Sequence, residues 1–155
     1  MEARMEDVRE FLAQKRFAFV GVSRQPRDFS RMLFREFQKR QFQPVPVHPQ
    51  ASEIEGVKCF ARVADIEPPV DSVLLMTPAA ANANLAQECA AAGIKRVWFY
   101  RGGLAGAASA TALQICEANG MRAIPGEGPF MFFEGTSWLH RFHGLVKKIT
   151  GAYPR

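Results

Sequence analysis

Five short apolar runs alternate along this chain with segments of helical periodicity, and that alternation restricts the fold more than any other feature. The runs are FAFVGV (17–22), QPVPVH (43–48), DSVLLMT (71–77), RVWFY (96–100) and MRAI (121–124). A strand buried on both faces of a parallel sheet reads as a continuous apolar run. Between the first two, the segment from Asp28 or Ser30 to Arg40 places Phe29, Met32, Leu33 and Phe37 on one helical face, while bases recur at Arg27, Arg31, Arg35 and Lys39 on another. The alanine-rich stretch 79–92 ends at Gly93 and the segment 104–119 ends at Gly120, both suited to helix stops. Strand followed by helix, repeated, predicts an α/β fold: a Rossmann-like three-layer parallel sheet of about five strands with right-handed crossovers. Pro44 and Pro46 lack the ladder N–H, which pushes the second strand towards a sheet edge or a one-sided pairing. Residues 49–69 read as loop, with a turn at Glu55-Gly56, an extended piece at 57–60 and a helical turn at 63–66. Terminal helices are expected at 3–14, with Met5, Val8, Phe11 and Leu12 on the inner side, and at 137–150.

A length of 155 residues suits one domain, residues 1–155, with a core at 15–125 and an aromatic and helical extension at 126–155. With 48% apolar and 23% charged residues, the chain has the composition of a soluble globular domain. No apolar run approaches the ~20 residues of a membrane-spanning helix. The N-terminal MEARMEDVREFLAQKR mixes acids with bases and lacks the apolar stretch of a signal peptide, so a cytoplasmic location is expected. Cys59, Cys89 and Cys116 form an odd, widely spaced set without a CxxC pair, which predicts reduced thiols rather than disulfides or a zinc knuckle.

The net charge of +5 is uneven. Arg24, Arg27, Arg31, Arg35, Lys39 and Arg40 face only Asp28 and Glu36 in their segment, and residues 136–155 hold four bases and no acid. Such a block fits nucleic acid, a solvated helix face, or a small polyanion such as a nucleotide phosphate. In a doubly wound sheet the ligand lies beyond the carboxyl ends of the strands. Those ends are Gly21-Val22-Ser23-Arg24, His48-Pro49-Gln50, Thr77-Pro78 and Tyr100-Arg101-Gly102. Gly21 allows close backbone approach, while Ser23 and the N–H groups opening the next helix can donate to phosphate oxygens. Arg24, Arg27 and Arg31 add positive charge there.

A nicotinamide dinucleotide fits this pattern badly. The first turn has a single glycine where the fingerprint needs GxGxxG, and His48-Pro49 stands where its ribose-binding acid belongs. GVSRQPRDFS also lacks the GK[ST] of a P-loop. The pattern favours a phosphate-rich adenine ligand held by arginines over a hydride-transfer cofactor.

Taken in order, FAFVGVSR, PVHPQASEIEGVKCF, ADI and VDSVLLMTPAAANANLAQECAAAGIKRVWFYRGG resemble the stand-alone CoA-binding domain family. Its fold is similar to that of the CoA-binding domain of the succinyl-CoA synthetase α subunit. The tail PFMFFEGTSWLHRFHGLVKKITGAYP resembles the C-terminal segment of some members. The resemblance implies CoA or acyl-CoA as ligand, with its phosphates on Val22, Ser23 and Arg24. It places the adenosine end near His48, Pro49 and Gln50, and the pantetheine arm past Thr77, Pro78, Tyr100, Arg101 and Gly102. Three positions depart from the family pattern. His48-Pro49-Gln50 replaces N-P-K, so a lysine is missing for which Arg24 or Arg31 can substitute; Ser30 replaces a helix glycine; and Arg101-Gly102 replaces an acid-glycine pair.

Synthetase relatives that carry a phosphohistidine use a second domain and an ATP-grasp partner, and no such segments are readable here. The expectation is therefore a binding module without catalysis of its own. The alternative is an enzyme component that acts on CoA thioesters or a nicotinamide nucleotide with a partner subunit. A nucleic-acid regulator ranks below both, since no DNA-reading motif accompanies the basic block. His140 and His143 with Glu134 could hold a metal, but an amphipathic helix packed on the aromatic patch explains them more simply. Cys59 reads as a small buried hydrophobe. Phe130, Phe132, Phe133 and Trp138 read as core or as the contact of a homodimer.

Overall fold

The structure, a computed structural model, describes residues 5–100 and 109–126. Its elements are helix α1 (Met5–Ala13), strand β1 (Arg16–Val20), helix α2 (Phe29–Lys39), strand β2 (Gln43–Val47), the small hairpin β3 (Glu53–Ile54) and β4 (Val57–Lys58), a 3-10 turn (Val63–Asp65), strand β5 (Ser72–Leu75), helix α3 (Ala79–Ala91), strand β6 (Arg96–Phe99), helix α4 (Ala110–Ala118) and strand β7 (Arg122–Pro125). Five strands form one parallel sheet in the order β2-β1-β5-β6-β7. The expected α/β architecture is therefore present. The expected last helix, the aromatic patch and its metal or dimer readings lie outside the described residues, as does the start of the segment expected to be helical from 104.

Alternation along each strand divides the core into two unlike layers. Phe17, Phe19, Leu74, Trp98 and Ile124 point to the face covered by α1 and α2, where they meet Val8, Phe11, Leu33, Phe34 and Phe37. Ala18, Val20, Val73, Leu75, Val97, Phe99 and Ala123 point to the other face, where α3 and α4 contribute Ala86, Cys89, Ala112 and Cys116. The first layer is held by aromatic pairs, including Phe17–Phe37 at 4.8 Å and Phe11–Trp98 at 5.1 Å between ring centroids. In α2 the buried stripe runs through Ser30, Leu33, Phe34 and Phe37. Met32, expected inward, is 42% exposed because it lies one residue, about 100° of helix, off that stripe.

The prolines of β2 sit where their missing donors do no harm. Gln43 donates its N–H inward to Lys15 O, and His48 donates outward to Phe60 O, so Pro44 and Pro46 occupy the outward-facing N–H positions of this edge strand. Between β1 and β5 the order of connection reverses, since the chain leaves β1 for the β2 edge and returns across it to β5. That reversal is the topological switch point, where ligands of doubly wound sheets bind.

Candidate functional site

At the switch point the chain comes too close to itself for any side chain on Gly21. A Cβ there would lie 2.2 Å from Met76 O and 3.1 Å from Thr77 Cγ2, and the residue has φ +91°. Glycine therefore ends β1 at Val20, two residues earlier than the run to Val22 predicts, and opens the crevice. A cleft of about 400 Å³ lies there, within the size range of small-molecule sites. Val20, Gly21 and Val22 from the end of β1 and Val47, His48 and Pro49 from the end of β2 form two of its sides. Ala61, Arg62 and Val63, Thr77 after β5, and Leu85 and Glu88 of α3 complete the lining. Another cleft of about 430 Å³, bounded by Arg16, Gln43 and Phe60, sits on the β2 edge and takes in the amino ends of β1 and β2, away from the switch point.

The loop after β1 is ordered by its own polar groups. Ser23 donates its N–H to Ser30 Oγ (2.9 Å), whose hydroxyl donates to Asp28 Oδ2 (2.6 Å). Ser23 Oγ accepts from Gln25 N–H at 3.0 Å. Asp28 also caps α2 by accepting from Ser30 N–H, placing a carboxylate at the positive end of that helix. The Ser23 N–H is thus engaged with Ser30, and the Ser30 N–H, which opens the helix, is engaged with Asp28. Ser30 supplies the hydroxyl that fastens the loop.

Arg31 is spent on the same loop. Its guanidinium donates to the carbonyls of Ser23 (3.3 Å) and Arg24 (3.1 Å), while Nε meets Glu55 Oε2 at 3.0 Å and Nη2 bonds the same oxygen. Glu55 stands at the turn of the β3–β4 hairpin with φ 49°, and there it also accepts from Arg35. The hydrogen bond from Arg31 is the main reason that the Glu55 carboxyl titrates below its ordinary range; the nearby positive charges act in the same direction and partial burial opposes them.

His48 performs a job usually done by an asparagine side chain. Its Nδ1 accepts the backbone N–H groups of Gln50 and Ala51, each at 3.0 Å, and shapes the turn after β2. An acceptor at Nδ1 puts the proton of the neutral ring on Nε2. Burial lowers the His48 pKa, and the neighbouring Arg24 lowers it further. After β5, the Thr77 hydroxyl bonds Asn82 Oδ1, and the fully buried Asn82 amide donates to Thr77 O at 3.4 Å. Tyr100 is buried, its ring 6.2 Å from Phe29, and its hydroxyl pKa is raised by that burial.

Of the positions expected from the sequence, Gly21, Val22, His48, Pro49 and Thr77 line one cleft. Ser23, Arg24, Arg31, Gln50, Pro78 and Tyr100 lie outside its lining, and Arg101 and Gly102 lie outside the described residues. Arg62, Leu85 and Glu88 were not expected, since nothing in their local sequence marks them; only the fold brings them to the cleft. Among the described residues no cluster of three His, Cys, Asp or Glu side chains could hold a metal. The thiols are buried, with Cys89 pushed up to about 12 and Cys116 to about 11 by desolvation, which keeps them protonated and unreactive.

The sequence profile of the CoA binding domain family matches residues 15–129. This chain belongs to that family. CoA is the ligand that membership carries. YneT of Bacillus subtilis (strain 168) is 34% identical over 68 residues, which cover 43% of this chain and half of the length of that relative. A conserved protein of Pyrococcus furiosus has a similar structure, with TM-score 0.65, 28% identity, and coverage of 73% of this chain and 94% of that one. The dinucleotide-forming acetyl-coenzyme A synthetase 1 of Ca. Korarchaeum cryptofilum shares the fold at TM-score 0.64 and 23% identity, over 72% of this chain and 26% of that one. No helix among the described residues is long and apolar enough to cross a membrane.

Proposed function

We propose that this chain is a CoA or acyl-CoA binding module with no catalysis of its own, working in the cytoplasm as a single domain. The observation that carries the reading is the coincidence of the family match with a cleft at the switch point, lined by Gly21, His48 and Thr77. On this reading the phosphates lie against Val22, Ser23 and Arg24, the adenosine end lies at His48, Pro49 and Gln50, and the pantetheine arm leaves past Thr77 and Pro78 toward Tyr100, Arg101 and Gly102. Arg24 is the cation of that loop for the phosphates, because Arg31 holds the loop carbonyls and Glu55 instead. The polar groups around the cleft serve to fix loops, and the buried thiols are held protonated, which suits holding a ligand more than transforming it. Pairing of Arg31 and Arg35 with Glu55 and of Arg40 with Glu36 also weakens the basic block as a nucleic-acid surface.

Thermal unfolding with CoA, acetyl-CoA, NAD and ATP tests the reading. A ligand at a hundred times its dissociation constant stabilises the native state by about 2.7 kcal/mol. CoA or acetyl-CoA should raise the midpoint, NAD and ATP should not match it, and the bound thioester should be recovered intact. No shift at millimolar CoA would refute the binding reading, and turnover of the thioester would move the chain to the enzyme class.

A further inference from the structure

We propose that Arg62 recognises a second phosphate of the ligand, the 3′-phosphate that separates a 3′-phosphoadenosine nucleotide from an ordinary adenosine diphosphate derivative. The proposal rests on the CoA reading of the cleft and narrows it. CoA carries a diphosphate at one side of its ribose and a monophosphate on the 3′ carbon, so a site that reads both needs two separate cations.

The structure offers two, on different segments. Arg24 stands in the loop after β1, close enough to His48 to act on it electrostatically. Arg62 follows the β3–β4 hairpin and lines the cleft beside Pro49 and Val63. Both side chains are exposed, and among the described residues neither guanidinium has an ion pair or hydrogen bond, whereas Arg31, Arg35, Arg40, Arg96 and Arg122 each face a carboxylate. Gln50, on the turn that would hold adenosine, is neutral, so that end has no cation from its own loop. The cleft lining has one carboxylate among the described residues, Glu88 of α3. With His48 neutral, Arg62 offsets Glu88; without it the lining would carry a single negative charge and repel an anion. A guanidinium also presents paired donors that match phosphate oxygens, which makes it more selective than a point charge.

Calorimetric titration with CoA and with 3′-dephospho-CoA isolates the 3′-phosphate. The wild-type protein should bind CoA about tenfold more tightly, the value of one charge-assisted contact. Arg62→Ala should weaken CoA about tenfold, leave dephospho-CoA unchanged and so erase the preference. Arg62→Lys should keep part of it, and Arg24→Ala should weaken both ligands equally and preserve it. Since the Arg62 side chain has no hydrogen bond or ion pair among the described residues, and the bond that its carbonyl accepts from Asp65 N–H survives the substitution, the Arg62→Ala protein should melt like wild type. Preference that survives in Arg62→Ala, or a wild type without preference, overturns the role of Arg62 while leaving the CoA reading intact. A folded wild type that binds neither ligand overturns both.

Discussion

Arginines in two regions of the molecule stand in opposite surroundings. At the junction of α2 with the β3–β4 hairpin, Arg31 is nearly buried, with side-chain exposure of 11%, and is fixed by Glu55 and two loop carbonyls. Arg62 in the cleft lining and Arg24 near His48 are exposed, and among the described residues their guanidinium groups have no partner. What separates the two regions is a single carboxylate, Glu55, carried to α2 by a hairpin of four strand residues. A formal charge count treats all these side chains as one positive field. The structure divides them into cations already neutralised and cations whose guanidinium groups have no partner among the described residues.

The largest effect expected from this division is on stability. Arg31→Ala removes the main partner of Glu55 and releases the carbonyls of Ser23 and Arg24, and should cost about 2 to 3 kcal/mol. In a chain of this size that lowers the thermal midpoint by roughly 5 to 10 °C. Arg24→Ala should change stability by less than about 0.5 kcal/mol yet weaken CoA about tenfold by calorimetry. Equal stability losses in the two variants would break the comparison.

A smaller effect sharpens it through pH. Glu55 titrates below its ordinary carboxylate range when folded, so the unfolded chain binds more protons as acid is added. Its contribution is complete above the unfolded value of 4.5 and disappears as pH falls through the lower folded value. Acid unfolding of Glu55→Gln should therefore be less steep in that range than that of wild type, while Arg62→Ala should follow wild type. Parallel curves for wild type and Glu55→Gln would remove Glu55 from its role as the anchor of α2.

The sheet was legible because each of its five strands falls in a short apolar run and two of the helices, α3 and α4, stop at Gly93 and Gly120, so periodicity and punctuation agree. Pro44 and Pro46 even told the edge. The carboxyl-end loops followed from topology, which is why five of the expected residues line the cleft. What could not be read was the division of the arginines. The partner of Arg31 lies 24 residues away on a hairpin whose position against α2 depends on tertiary packing, and Arg62 reaches the cleft for the same reason. Periodicity also placed Met32 inward, where an apolar residue one position off the buried stripe is left at the surface.

The smallest expected effect belongs to His48, and it joins the cleft mouth to the turn beneath it. In the native protein Nδ1 must stay unprotonated to accept from Gln50 and Ala51, and burial, with Arg24 second, holds the pKa below 6.5. The unfolded chain then binds more protons, so this stabilisation is complete above about pH 6.5 and is lost as pH falls through the lower folded value. His48→Asn keeps an oxygen acceptor for both N–H groups but cannot titrate. Between about pH 7.5 and 5.5, on either side of the free histidine value, the melting midpoint of wild type should fall further than that of His48→Asn. Arg24→Ala should recover a part of the difference but not all of it, because burial is the larger cause. An equal fall in wild type and His48→Asn would mean that the ring does not hold the turn through Nδ1, and the turn after β2 would then lack the support that the two hydrogen bonds are taken to give it.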